Sequence, residues 1–261
     1  MKQELNTDPS LGDPFSIAPG MLVLNVSRIR DFEECPRRFL LRHVLHLAGD
    51  DENIDDASAS AGRQVHEELR ARHQSPARHD DTVSVDDEGT GDPWVVARAR
   101  AHAVLCPRAH ADYVGGEVDV RWLIARKNLL VTGRVDAIWR HLDGTLEVRD
   151  YKTGTCPDSL EDDVGAALYL LLAAAALPHR GRVRVTYESL AGEQPRTASL
   201  DATAAHLRRA YELVIGAAER IRVEKAFVAR PSATTCVRCS FSGMCPHATT
   251  TAGVEHERRQ T

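Results

Sequence analysis

Between Glu117 and Tyr151 the chain alternates apolar and polar residues in three β-forming runs, and this stretch limits the fold more than any other. Glu117 to Ala125 and Leu129 to Arg140 are separated by a tight turn at Arg126 to Asn128. Leu142-Asp143-Gly144 divides the second run from Thr145 to Tyr151, and Asp-Gly is a strong hairpin signal. The spacing predicts a three-stranded antiparallel meander. Ser159 to Leu177 then reads as a helix and Arg182 to Ser189 as a fourth strand. A strand–helix–strand connection of that length favours parallel pairing with a right-handed crossover. The fold class expected is α/β with a mixed sheet.

The flanks read as helical. Asn25 and Ser27 offer N-cap side chains to a helix near Arg28. Pro36 suits the first turn of a new helix, so Ser27 to Val44 forms two pieces meeting at Cys35. Gly62 to Arg72, Trp94 to Tyr113 and Asp201 to Glu224 read as helices, the last with Asp201 as its N-cap. Asp50 to Ser60 and Gln74 to Pro93 are acidic and lack apolar periodicity, which predicts loops. The expected organisation is a flexible arm at 1–20, one domain at 21–247 and a polar tail at 248–261.

With 43% hydrophobic and 27% charged residues, the composition is that of an ordinary globular chain. Ala166 to Leu177 is the longest apolar run and is too short to span a bilayer. Met1 to Gly20 lacks a basic start and an apolar stretch, so a cytoplasmic location is expected. The net charge of −5 counts against a uniformly basic nucleic-acid binder. Many acidic residues fall in the two loops, however, and phosphate binding depends on a local basic groove. Arg28 to Arg42 and Arg220 to Arg238 are rich in arginine. Each also fits a solvated helix face.

The meander carries the candidate chemistry. Asp136 lies within its second strand, and Asp150 and Lys152 end the third. Alternation places Asp150 and Lys152 on one face, about 6.6 Å apart along the strand. A hairpin can bring Asp136 beside them. Two carboxylates on one face repel and favour a cation. Hard oxygen ligands suit magnesium or manganese, and a neighbouring ammonium can orient water and stabilise phosphate charge. Taken singly, the residues fit plainer roles: a turn aspartate, or a surface ion pair of little worth.

Six cysteines stand at 35, 106, 156, 236, 239 and 245. Cys236-x2-Cys239-x5-Cys245 is three-ligand spacing, and Cys35 at the helix junction is the candidate fourth ligand. Cys106 reads as a small helix residue and Cys156 as a loop residue. Zinc and a 4Fe–4S cluster both remain open on spacing; the remote Cys35 is better tolerated by the cluster.

The order of motifs resembles the PD-(D/E)XK nuclease superfamily, in its RecB-like branch. Gly62-Arg-Gln-Val-His66 looks like the Gly-x-x-x-His helix motif, and Glu117 opens the first strand. Gly133-Arg-Val-Asp136 and Asp150-Tyr-Lys-Thr-Gly154 match the strand motifs. The resemblance implies a restriction-endonuclease-like αβββαβ core. It implies that His66, Asp136, Asp150 and the Tyr151 carbonyl ligate Mg2+ or Mn2+, that Lys152 activates the attacking water, and that Glu117 orders the site. The cysteine arrangement looks like the 4Fe–4S cluster of the AddB nuclease domain and the CRISPR adaptation nucleases, which would join the cysteine loop to the N-terminal helices. The branch carries Gln-x-x-x-Tyr after the lysine strand; here Tyr169 stands in place and Gly165 replaces the glutamine.

The expected activity is that of a deoxyribonuclease, an exonuclease on single-stranded DNA ends in repair or processing, served by a helicase or similar subunit. A CRISPR-adaptation nuclease and a non-catalytic DNA-end-binding subunit are the alternatives. No Gly-x-x-x-x-Gly-Lys-Ser/Thr loop is present for unwinding by this chain itself.

Overall fold

The computed structural model describes residues 20–49, 56–74, 92–191 and 195–249 of the 261-residue chain. The expected arm at 1–19, the loop segments at 50–55 and 75–91, and the tail from 250 onward lie outside those residues. No helix among the described residues is long and apolar enough to cross a membrane.

The sheet is mixed and has six strands. Strand β1 (Leu22–Leu24) precedes helices α1 (Val26–Glu34) and α2 (Pro36–Phe39), and a π-helical turn continues over Leu40–Val44. Helices α3 (Asp56–Gln74) and α4 (Pro93–Leu105) lead into β2 (Ala111–Ile124), β3 (Leu129–His141) and β4 (Leu146–Lys152). Then follow α5 (Val164–Ala176), β5 (Val183–Ser189), β6 (Arg196–Asp201), α6 (Ala204–Val223) and the short α7 (Ala233–Val237). The meander β2–β3–β4 is antiparallel, and β4 pairs parallel to β5 across α5.

β3 organises the sheet. β2 pairs with it along its length, from Ile124–Leu129 to Ala111–His141. Its other edge is shared by β1 at Leu129 to Val131 and by β4 at Ala137 to Arg140. The stretch between, ending at Asp136, has no ladder partner on that edge. The core also changes there. Leu129, Val131 and Val135 join Ile138 in one apolar cluster, whereas Ala137 and Trp139 belong to another. Strand alternation cannot keep Val135 and Ile138 on one face without a shift of phase near Asp136.

The larger core lies between the sheet and α1, α5 and α6, and includes Phe32, Leu168, Leu172, Val214 and Ala218. The smaller core packs α3 and α4 on the sheet through Val65, Leu69, Val95, Ala99, Trp139 and Tyr151. The C-terminal segment returns to the N-terminal helices. Phe227 stacks on Phe39 at 6.2 Å, Arg42 donates to the Ser240 hydroxyl at 3.0 Å, and Arg230 donates to the Glu33 carbonyl at 2.8 Å.

Several sequence expectations are corrected. The helix expected over Trp94 to Tyr113 stops at Leu105, because Cys106 is extended and Pro107 cannot donate a helical hydrogen bond. Residues Ala111 to Tyr113 are instead the start of β2, which therefore begins before Glu117. α3 starts at Asp56, inside the expected acidic loop. The helix expected from Ser159 starts at Val164, capped by Asp163, whose carboxylate accepts from the Ala166 N–H at 2.8 Å. The cap of α6 is Thr203 rather than Asp201, which belongs to β6 and pairs with Arg184. β1 and β6 were not foreseen: the first is three residues long, and the second is an edge strand with only Ala198 and Leu200 buried.

Candidate active site

The site forms where β3 and β4 part. The β3–β4 ladder ends at Ala137–Arg149, one residue short of Asp136 and Asp150. Beyond it, side chains replace the backbone partners of Tyr151. Asp136 Oδ2 accepts the Tyr151 N–H at 2.7 Å, and His66 Nε2 lies 3.0 Å from the Tyr151 carbonyl oxygen. His66 is brought in by α3, whose Val65 and Leu69 are fully buried against the sheet. Its other ring nitrogen, Nδ1, is 3.5 Å from both Asp136 Oδ1 and Glu117 Oε1.

Glu117 reaches the site through an unusual backbone. It has φ +54, a left-handed conformation that costs a non-glycine residue energy, and it falls between the pairs Gly116–Ala137 and Val118–Val135, facing Asp136. Gly116 makes that approach possible: a Cβ there would meet the Asp136 carbonyl oxygen at 2.8 Å and the Tyr113 hydroxyl still closer. Glu117 also accepts from Arg134 at 2.6 Å.

The ligand atoms of His66, Glu117 and Asp136 all lie within 4.8 Å of one another. Asp150 stands beside this trio rather than in it. It is buried and ion-paired with Lys152, whose ammonium also sits 4.8 Å from the centre of the Tyr187 ring. Burial pushes the Asp150 carboxyl up to about 6, and the Asp136 charge adds to this, while Lys152 and His66 pull it back. Burial works against a charged His66, but the hydrogen bond and charge of Asp136, the Glu117 charge and the Tyr151 carbonyl reverse that and raise it to about 8. The site thus gathers carboxylates whose mutual repulsion a cation would relieve.

Tyr169 donates to the Arg134 carbonyl at 3.0 Å and closes one side of the site. Burial raises its phenol, as do the Asp150 and Asp136 charges. Gly165 has no room for a side chain. A Cβ would meet the Tyr187 hydroxyl at 2.5 Å, Asp163 Oδ1 at 3.0 Å and Arg30 Nη2 at 3.2 Å. Tyr187 donates to Asp163 at 2.7 Å and Arg30 pairs with it at 3.1 Å, so this trio fills the space in front of Gly165.

A groove of about 740 Å³ runs from Tyr169, Gly133 and Arg134 to Asn25, Ser27 and Arg30. Arg38 and Arg121 also line it. Arg30 and Arg38 belong to the arginine-rich stretch from Arg28 to Arg42, whereas Arg121 and Arg134 come from strands with no basic signal in the sequence.

Cys35, Cys236, Cys239 and Cys245 line one pocket between the helix junction and the C-terminal segment, and none forms a disulfide. Burial raises the Cys239 thiol. The Phe241 N–H and the Arg38 charge lower it, and neighbouring Cys35 and Cys245 raise it again. Cys106 is not the plain helix residue expected: it caps the end of α4, with its sulfur 3.8 Å from His73 Nε2.

No curated protein matches the chain. Among solved structures it is similar to one named SSO0001, at 18% identity over 87% of each chain with a TM-score of 0.41. It is also similar to a candidate exonuclease from Eubacterium rectale, at 12% identity over 80% of this chain and 85% of that one, with a TM-score of 0.45. The sequence model of the PD-(D/E)XK nuclease superfamily matches residues 23–246. That span holds the sheet apart from Leu22, the His66, Glu117 and Asp136 trio and the Asp150–Lys152 pair, and the chain belongs to the PD-(D/E)XK nuclease superfamily.

Proposed function

We propose that the chain is a divalent-metal-dependent deoxyribonuclease of the RecB-like branch that acts on single-stranded DNA ends. The observation that carries this reading is the Tyr151 peptide, held by Asp136 on its N–H and faced by His66 at its carbonyl. The donor atoms of His66, Glu117 and Asp136 also lie within 4.8 Å of one another, a spacing that one divalent ion could bridge. His66, Asp136, Asp150 and the Tyr151 carbonyl would hold Mg2+ or Mn2+. The ion would supply Lewis acidity toward the scissile phosphate.

The rest is work for the chain's own side chains. Lys152 Nζ, kept beside Asp150, would orient the attacking water and offset phosphate charge. Glu117 would order the waters around the trio, and its bond to Arg134 keeps it turned inward. Tyr169 would fix the wall along which the strand approaches. Arg30, Arg38, Arg121 and Arg134 line the groove beside Asp31, Glu34 and Asp119; Arg38 is held by Asp31 and Glu34, so the partly exposed Arg30 and Arg134 would be the cations to meet a phosphodiester backbone. A single strand, which can bend into a groove beside a buried centre, suits this shape better than a rigid duplex.

The cysteine pocket is suited to a 4Fe–4S cluster, with zinc the alternative occupant. Cys35 belongs to the helix junction and the other three to the C-terminal segment, so the group would staple the two together. Colour, iron and sulfide content of anaerobically purified protein separate the two.

The experiment on activity is cleavage of end-labelled single- and double-stranded DNA with Mg2+ or Mn2+. Metal-dependent shortening of the single strand, abolished in Lys152→Ala, is expected. Absence of cutting by the parent with either metal, or unchanged cutting by Lys152→Ala, overturns the reading. Retained binding without cleavage would favour a DNA-end-binding subunit. The filled Gly165 position supports that second reading, because the branch's usual glutamine cannot act here. A CRISPR-adaptation role fits the same chemistry and predicts cleavage of short spacer precursors.

A further inference from the structure

On the opposite side of α3 from solvent lies a second cluster that the nuclease site does not use. His73 and His102 are 3% and 2% exposed, and their Nε2 atoms face each other at 2.9 Å. Cys106 Sγ lies 3.8 Å from His73 Nε2, and all three donor atoms fall within 4.8 Å of one another. We propose that His73, His102 and Cys106 form a buried transition-metal site, suited to zinc, that clamps the end of α3 to the end of α4.

The geometry is close to that of a metal shell before the ion enters. Zinc takes histidine nitrogen at about 2.0–2.1 Å and thiolate at about 2.3 Å. Tetrahedral angles then separate two nitrogens by about 3.3 Å and a nitrogen from a sulfur by about 3.6 Å. The observed 2.9 and 3.8 Å straddle those edges, so a shift of a few tenths of an ångström opens the site. Two imidazoles and one thiolate form a borderline-soft donor set, which excludes magnesium and calcium and favours zinc.

The surroundings set the ligand state. Glu188 is fully buried, and its Oε1 lies 2.7 Å from His102 Nδ1. A carboxylate there keeps the proton on Nδ1 and leaves the Nε2 lone pair facing His73. Glu188 is itself fixed by Arg149, which donates to its Oε2 at 2.7 Å. The rings of Tyr113, Trp139 and Tyr151 close around the histidines, with centroids 4.9 to 5.2 Å from one or the other. The Tyr151 hydroxyl is buried without a hydrogen-bond partner among the described residues.

Such a closed, aromatic-walled site has no entry for substrate, so its role is structural. His73 lies seven residues after His66, about 10.5 Å along the same helix. An ion at His73 would fix the far end of the helix that presents His66. His102 and Cys106 are one turn apart, so a single helix end supplies both remaining ligands. The competing arrangement is a plain relay in which His73 donates to His102 and His102 to Glu188.

The test uses the full chain, with Cys106→Ser, His73→Gln and, as a control for the other cysteine pocket, Cys236→Ser. Metal content is measured by mass spectrometry after exhaustive dialysis, and zinc affinity by chelator competition. The expected result is that Cys236→Ser still binds one zinc, outside the cysteine pocket, and that adding Cys106→Ser or His73→Gln to it weakens that affinity at least tenfold. No zinc in Cys236→Ser, or equal zinc affinity with and without the added substitution, overturns the proposal. Cobalt titration of the unmutated chain decides independently of whether the variants fold. A tetrahedral spectrum with single-thiolate charge transfer, distinct from the multi-thiolate bands of the cysteine pocket, is expected, and its absence means the relay alone is present.

Discussion

Asp136 accepts the Tyr151 N–H at 2.7 Å at the place where β3 and β4 cease to share a backbone ladder. One carboxylate therefore does two jobs: its Oδ2 finishes a sheet, and its Oδ1 faces His66. Asp136→Asn keeps an acceptor for Tyr151 but removes the charge. It is expected to lose at least about 100-fold in cleavage with little change in melting temperature. Asp136→Ala also leaves the Tyr151 N–H unpaired and is expected to lose about 1–3 kcal/mol of stability. Thermal unfolding beside a cleavage assay separates the two; equal stability of both variants would contradict the structural half of this assignment.

Placing a glutamine at Gly165 is expected to fail. The space already holds the Tyr187 hydroxyl, Asp163 and Arg30. Gly165→Gln should destabilise by about 1–3 kcal/mol, the usual cost of overpacking. Urea denaturation measures this, and a variant that gained both stability and cleavage would show that the trio moves aside.

Arg30 lines the groove, is partly exposed and pairs with Asp163. Arg30→Ala should weaken single-strand binding and lower the slope of log affinity against log salt by about 0.7, as expected for one lost phosphate contact. Fluorescence anisotropy over a salt series gives the slope, and an unchanged slope removes Arg30 from the path of the strand.

Glu147 gives the fold a defined acid limb. Burial alone would raise its carboxyl, but the Arg149 charge and hydrogen bonds involving Thr186, His141 and Arg149 hold it below the ordinary range. Its contribution is complete above the pKa of an unfolded glutamate and is lost as pH falls through the lower folded value. Glu147→Gln should cost about 3 kcal/mol at neutral pH, because a buried ion pair is broken. The difference from the parent should shrink at about pH 4 and below. Urea midpoints across pH check this, and a difference constant with pH would mean the ionised form is not what matters.

The strands of the candidate site are legible because their signals are local. Asp143-Gly144 marks the hairpin, alternation marks the faces, and Asp136, Asp150 and Lys152 fall within one meander. What escaped was what depends on distant partners. Ala111 to Tyr113 have no strand signal of their own and become β2 because Trp139 to His141 lie opposite them. The phase shift at Asp136 and the left-handed Glu117 are set by how two sheets of side chains pack, which periodicity does not encode. His73 carries no signal of its own, because only the fold sets it against His102, and the His102-x3-Cys106 spacing is the clue the sequence holds.

The return of the C-terminal segment to the N-terminal helices also has a temporal side. Arg42 meets Ser240 across 198 positions, and Phe39 waits for Phe227. Even β1 finds its neighbour only when Leu129 to Val131 have been made. During vectorial synthesis the first helices must therefore leave the ribosome with their apolar faces uncovered, and the domain can lock only after its cysteine segment emerges. Folding on the ribosome thus waits for Phe227 and Ser240 rather than for the helices themselves, and until then Phe32 and Phe39 are surfaces a nascent-chain chaperone could meet.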